Sequence, residues 1–283
     1  MAKQKPDGIS WADFTFSLWH GCTRIHGSPA CEDAADPSRI TCYAEAISER
    51  FGYSAKPGAA YFPIWGADTQ RRFLPKVFER IAQANKEWAG RERRCRAFVM
   101  SMGDWAEGRP DQADVLAKLW PAIAAAQNVD FLMLTKRPQL IRTLCPFSTG
   151  ASDLTRSASG YCHSIWRTWQ GTTTENQHWL DIRWPHLRDA TFSDQITWLS
   201  IEPQVGPIKL PQDFLDRGKR AWVVVGGQSG RKVVKFDPDW ARRLRDQCRE
   251  AGVPYHFKQM SGFTKAELKA IPEDLQIHEY PTP

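Results

Sequence analysis

Cys22, Cys31 and Cys42 fall within 21 residues of a 283-residue chain. Thiolates bind soft cations well, so this clustering points first to a metal site. Three sulfurs leave one coordination position open, and what fills it decides the metal. Zinc would recruit a histidine, with His20 and His26 at hand. An iron–sulfur cube would instead leave one iron open to a small molecule. The remaining alternative is three unrelated thiols. Cys22 and Cys31 lie in a polar segment interrupted by Gly27, Pro29 and Pro37, which cannot be helix interior and so must be a loop. Cys42 opens a helix: Thr41 is placed as its N-cap, Tyr43, Ala46, Ile47 and Phe51 recur at helical spacing, and Gly52 marks its end. A thiol in the first turn of a helix meets the positive end of the macrodipole, which favours the thiolate a metal needs.

Other blocks carry more. GC…SPAC…CYAE at 21 to 45 is followed by FVMSMGD at 98 to 104, LTKRP at 134 to 138, GTTTENQ at 171 to 177, LSIEPQVGPI at 199 to 208, WVVVGGQSG at 222 to 230 and GVPYHFKQ at 252 to 259. In these blocks and their order the chain resembles a phage-associated radical-SAM-like family over nearly its whole length. That family has a shorter gap between its second and third cysteines, which EDAADPSRIT lengthens here. The resemblance implies a 4Fe-4S cluster held by Cys22, Cys31 and Cys42, with S-adenosylmethionine (SAM) on its open iron. An external one-electron reductant would drive SAM cleavage to a 5′-deoxyadenosyl radical, which abstracts hydrogen from the substrate. It also implies a SAM-binding set of Tyr43, Gly103, Asp104, Thr173, Glu175, Ser200, Glu202, Gly226 and Gly227. Within that set Asp104 would take the methionine ammonium, Thr173 and Glu175 the ribose hydroxyls, and Gly226 with Gly227 the adenine. Glu202 and Lys258 are candidates for catalysis. Lys136 and Arg137 could bind a carboxylate or phosphate, or form an ion pair inside the barrel.

The elements that must position these groups read as alternating strands and helices. Apolar strands are expected in ADFTFSLWHGC, RAFVMSMGD, VDFLMLT, WQGTTT, ITWLSIEP, AWVVVG and PYHFKQ. Helices are expected from Asp68 to Glu87, from Pro110 to Gln127, and in FDPDWARRLRDQCREAG with Asp237 as cap, Pro238 at the first position and Gly252 at the stop. This alternation predicts an α/β fold: a full or partial (β/α) barrel of parallel strands, of the radical SAM type by resemblance. One domain over 1–283 is expected, with an N-terminal tail at 1–12, a surface insertion at 146–168 and a C-terminal extension at 260–283. Barrels place their chemistry at the C-terminal ends of strands, and the polar candidates all fall there.

No apolar run approaches the roughly 18 residues that span a bilayer. MAKQKPDGIS has charges but no apolar core of a signal peptide, so a cytoplasmic protein is expected, bacterial or phage-encoded in its host. A net charge of +6, basic runs at Arg71 to Lys76, Arg91 to Arg96 and Arg242 to Arg245, and 13 tryptophans allow a nucleic-acid or nucleotide partner. Each basic run could equally be a solvated face, and most tryptophans core. The favoured substrate is a nucleic-acid base, a hypermodified pyrimidine of phage DNA undergoing modification or rearrangement. Two alternatives stand beside it: a zinc-stapled nucleic-acid-binding barrel without redox chemistry, and a radical SAM DNA repair lyase.

Overall fold

The computed structural model describes residues 9–32, 36, 41–51, 64–148, 166–230 and 233–282. In chain order the strands are β1 (Phe14–Phe16), β2 (Trp19–His20), β3 (Arg72–Phe73), β4 (Cys95–Val99), β5 (Val129–Thr135), β6 (Thr168–Thr173), β7 (Thr197–Ile201), β8 (Ala221–Gly226) and β9 (Tyr255–Gln259). β1 and β4 to β9 form one seven-stranded sheet in that order, every neighbouring pair parallel. Parallel neighbours need crossovers, and here the crossovers carry helices, so the sheet curls into a half-barrel. The principal helices are α1 (Tyr43–Phe51), α2 (Val77–Glu87), α3 (Ala113–Ala125), α4 (Gln177–Ala190) and α5 (Pro238–Ala251). α5 is capped as its sequence predicts: Asp237 accepts from the Asp239 amide, and Gly252 closes the helix at φ 66.

Two expectations change. The first strand is interrupted, because β2 turns away from the sheet to pair antiparallel with β3, Trp19 opposite Phe73. The helix expected from Asp68 begins only at Val77, since Arg72 and Phe73 are in a strand and Pro75 disfavours helical backbone just before it.

Alternation along the strands builds two apolar layers. Val99, Phe131, Leu199, Val223 and Phe257 face the helices and pack in the same core as Ile81, Leu119, Leu187 and Leu244. Phe98, Leu132, Trp169, Trp198 and Trp222 point into the concave side. Of the expected tail, Trp11 and Ala12 are buried in that concave layer, where Trp11 meets Phe98 edge-on at 4.7 Å. Gly171 stands opposite Trp198, and a Cβ there would come within 2.4 Å of its indole nitrogen, so the glycine makes room for the ring. Of the expected insertion, 149–165 lie outside the described residues, as do Gly52 and Cys162. Among the described residues no helix is long and apolar enough to cross a membrane.

Candidate active site

At the C-terminal ends of the strands, the concave face and the cysteine loop enclose a cavity of about 270 Å³. Cys22, Cys31, Cys42, Tyr43, Gly103, Asp104, Thr173, Ser200, Glu202, Gly227 and Lys258 all line it, with Lys136 and Arg137. Sheet periodicity explains much of this, because Lys136, Thr173, Ser200, Glu202 and Lys258 share inward parity with Leu132, Trp169, Trp198 and His256 lower on the same strands. Glu175 and Gly226 do not line it. A Cβ at Gly226 would come within 2.8 Å of Glu202 Oε1, so the missing side chain gives that carboxylate its space.

The cysteine loop is tied down by buried charges. Gly21 bridges Gly103, and a Cβ on Gly103 would meet the Gly21 carbonyl at 2.8 Å. Next along, the Thr23 amide donates to Glu107 Oε1 at 2.6 Å, and Arg71 Nη2 donates to the same oxygen at 2.6 Å and to Thr23 Oγ1 at 2.8 Å. Arg71 and Glu107 side chains are 0% and 1% exposed. Arg137 donates to the Thr23 carbonyl and, at 3.8 Å, to Cys22 Sγ. The third cysteine departs from the expected helix start. Thr41 Oγ1 donates to the Pro29 carbonyl at 2.8 Å, and Cys42 itself takes the cap position, receiving the Glu45 amide.

That helix end does not prevail in setting the thiol. Burial, and then neighbouring Cys31, pushes Cys42 up to about 11. Burial, with Asp104 next, holds Cys22 well above the ordinary thiol value. A bound cation would reverse this, since a coordinating thiol is deprotonated outright. Among the described residues no group of three or more His, Cys, Asp or Glu side chains is arranged to hold a metal ion. The donor set nevertheless has the chemistry of one group over another. His26 is 86% exposed and bonded to Glu32 at 2.6 Å, and neither it nor His20 lines the cavity. Among the described residues no histidine lines the cavity, and three thiols without one fit an iron–sulfur cube with an open iron better than tetrahedral zinc.

The other candidates differ in what they have left to offer. Asp104, 4% exposed, accepts from Ala106 N and Thr135 Oγ1 on one oxygen and from Lys136 N and Arg137 Nη1 on the other, at 2.6 to 3.1 Å. Four donors fill a carboxylate, so it has little left for a ligand ammonium. Glu202 and Lys258 pair across the cavity at 3.0 Å, both partly open to it. No hydrogen bond or ion pair reaches the Lys136 ammonium among the described residues. Burial pulls its pKa down, but Cys31, Glu175 and Cys42 outweigh that and raise it above the ordinary lysine value. Tyr43 is 58% exposed at the mouth, its ring open to stack on a planar group.

In part the basic runs turn inward or pair up. Arg71 is buried. Arg93 and Arg96 hold Asp13, Arg94 holds Asp130, and Arg242 and Arg245 share Asp274. Trp166 is the one tryptophan among the exposed large apolar residues. Arg72, Lys76, Arg91 and Arg243 of the same runs remain exposed, so part of each run still faces outward. The sequence signal missed Arg71, Glu107, Ser28 and Arg183, because a buried arginine looks like a surface one until its carboxylate partner, far off in sequence, is known.

Fold and site define an α/β half-barrel protein with three thiols on one cavity at the strand ends. The chain belongs to the family described as protein of unknown function DUF5131, which it matches over residues 7–279. No curated protein matches it. Among solved structures the fold is similar to a mutant of spore photoproduct lyase, with TM-score 0.51 and 13% identity, over 91% of this chain and 81% of that one.

Proposed function

We propose that this protein is a radical SAM enzyme acting on a nucleic-acid base, with Cys22, Cys31 and Cys42 holding a 4Fe-4S cluster. The observation that carries the reading is the three thiols on one cavity, with no histidine among the described residues that line it. The fold adds support, since the solved structure it resembles is by its name a lyase of a photoproduct. Bound there, cluster and SAM would supply a 5′-deoxyadenosyl radical that removes a hydrogen atom from the substrate. The chain's own part is positioning and exclusion. Thr173, Ser200 and Gly227 line the wall where hydroxyls and a base edge would bind, Lys136 offers a carboxylate or phosphate a cation that no described residue pairs, and Tyr43 offers its exposed ring. Glu202 and Lys258 are placed to hold or move a proton at the substrate. Asp104 serves the wall rather than the ligand. The substrate we favour is a modified pyrimidine of phage DNA. Damaged DNA is the second choice, favoured by the neighbour's name.

Protein handled without oxygen is expected to be brown, with about four irons and four sulfides per chain, and to cleave SAM after dithionite reduction. Cys22→Ala, Cys31→Ala and Cys42→Ala should each lose the colour, while Cys95→Ala and Cys248→Ala keep it. Stoichiometric zinc without labile sulfide would overturn the reading in favour of the zinc-stapled binding protein. The substrate is tested by deuterium transfer from base-labelled DNA into 5′-deoxyadenosine, in single strands and mismatched duplexes, where taking the base out of the stack costs least. With several arginines of its basic runs paired to carboxylates, the protein should show a shallower salt dependence of DNA binding than those runs would give unpaired. Turnover of a free small molecule with no label from DNA would retire the nucleic-acid assignment alone.

A further inference from the structure

Behind the cavity wall, between the end of β6 and α4, lies a polar cluster that the cavity does not reach. Glu175 is fully buried there. It accepts from Arg183 Nη1 at 2.8 Å and from Ser28 Oγ at 2.6 Å. Arg183, equally buried, also donates to the Thr173 carbonyl at 2.7 Å and to Ser28 Oγ at 3.3 Å. Ser28 belongs to the cysteine loop. Its carbonyl accepts from the amides of Cys31 at 2.7 Å and Glu32 at 3.0 Å, forming the turn that carries the second thiol. Trp179 completes the attachment, stacking on the Arg183 guanidinium at 4.1 Å and donating from Nε1 to the Gly27 carbonyl at 3.1 Å.

Burying an ion pair seldom adds net stability over apolar residues of the same volume, whereas it does fix geometry. The pair here touches the turn of Cys31 directly and no ligand space. We propose that Glu175, through Ser28 and with Arg183, is a positioning residue for Cys31 and not a ribose ligand. It holds the second thiol's backbone turn against the sheet, so that this sulfur faces the cavity that Cys22 and Cys42 also line. The consequence for cofactor binding rests on the reading of these thiols as cluster ligands. The positioning itself does not. Removing groups that orient metal ligands typically costs about 10–100-fold in metal affinity.

The test uses iron-free full-length protein without oxygen, pulse-labelled with iodoacetamide, with labelling rates at Cys22, Cys31 and Cys42 read by peptide mass spectrometry. Ser28→Ala and Glu175→Gln are expected to raise the Cys31 rate about tenfold while Cys22 stays unchanged, and Arg183→Lys, which keeps the charge, to retain part of the protection. In reconstituted protein the same variants should lose iron to a chelator about tenfold faster and broaden the EPR signal of the reduced cluster. Ser28→Ala removes one hydroxyl and keeps the buried pair, so it decides the matter if Glu175→Gln does not fold. Unchanged labelling at Cys31, or equal rises at all three thiols, would overturn the proposal. So would a loss of SAM affinity in Glu175→Gln with Cys31 still protected. Because labelling is read without iron, a failed metal analysis sinks the enzymatic reading alone, and a failed labelling experiment sinks the positioning role alone.

Discussion

On the concave face the strands change character within a few residues. β6 carries Trp169 and then Thr173, β7 carries Trp198 and then Ser200, β8 carries Trp222 and then Gly226, and β9 carries His256 and then Lys258. The lower row is closed: Trp11 meets Trp198 at 5.2 Å, Trp222 meets Trp169 at 5.9 Å, and His256 stacks on His278 at 4.5 Å. Of the upper row, Thr173, Ser200 and Lys258 line the cavity, with hydroxyls and, where Lys258 meets Glu202, an ion pair. One sheet thus supports two solvents, an apolar floor that excludes water and a polar chamber that can admit a ligand. The floor should govern stability and the chamber binding.

The largest expected effect falls on the floor. Trp198 is fully buried, donates to the Trp169 carbonyl at 3.1 Å and fills the space left by Gly171. Trp198→Ala should cost about 3–5 kcal/mol in urea denaturation, the usual range for a buried aromatic truncation. Ser200→Ala, two residues further along the same face, should cost less than about 1 kcal/mol. Similar losses at both positions would erase the distinction.

A smaller effect, and one with a pH signature, belongs to His256. Burial, then His278, Arg96 and Lys258, depress its pKa from 6.5 to about 3. The unfolded chain binds this proton below about pH 6.5 and the folded chain does not until about pH 3, so stability must fall as pH drops through that window. At about 1.4 kcal/mol per pH unit, the loss between pH 7 and pH 5 is at most about 2 kcal/mol. His256→Gln should remove that loss, and denaturation curves of both proteins at the two pH values check it. A wild-type loss that persists in the variant would locate the titration elsewhere.

How much of this could be read without coordinates depended on whether the signal was local. Strand alternation with helices, and the parity that turns Ser200 and Glu202 to the same side, are local and were legible in ITWLSIEP. So was the capping of α5 by Asp237 and Gly252. Pairings across the chain were not: Glu175 read as an acceptor for ribose hydroxyls, and only the approach of Ser28 and Arg183 shows it sealed. Arg71 looked like part of a surface basic run for the same reason. Trp11 looked like tail, although a tryptophan in a polar segment was a hint that the segment packs.

The smallest stability effect is expected in the chamber, where its function should be most sensitive. Glu202 and Lys258 pair at 3.0 Å with side chains 14% and 22% exposed, and water in the cavity can screen them. A pair of this kind contributes at most about 1 kcal/mol, because attraction gained is offset by desolvation and by holding two flexible side chains still. Glu202→Gln keeps the shape and removes the charge, so its unfolding free energy should stay within that margin of the parent's. Ligand binding should not be so tolerant. If Glu202 faces the nucleoside end of SAM or the substrate, equilibrium dialysis of SAM, or label transfer from DNA, should drop about tenfold or more, the scale of one lost charged hydrogen bond. Lys258→Met should then show the complementary defect. A variant pair that lowers the unfolding free energy by several kcal/mol while leaving SAM binding and label transfer intact would make these residues part of the floor's stability, and would move the boundary between the two halves of the concave face up by one row.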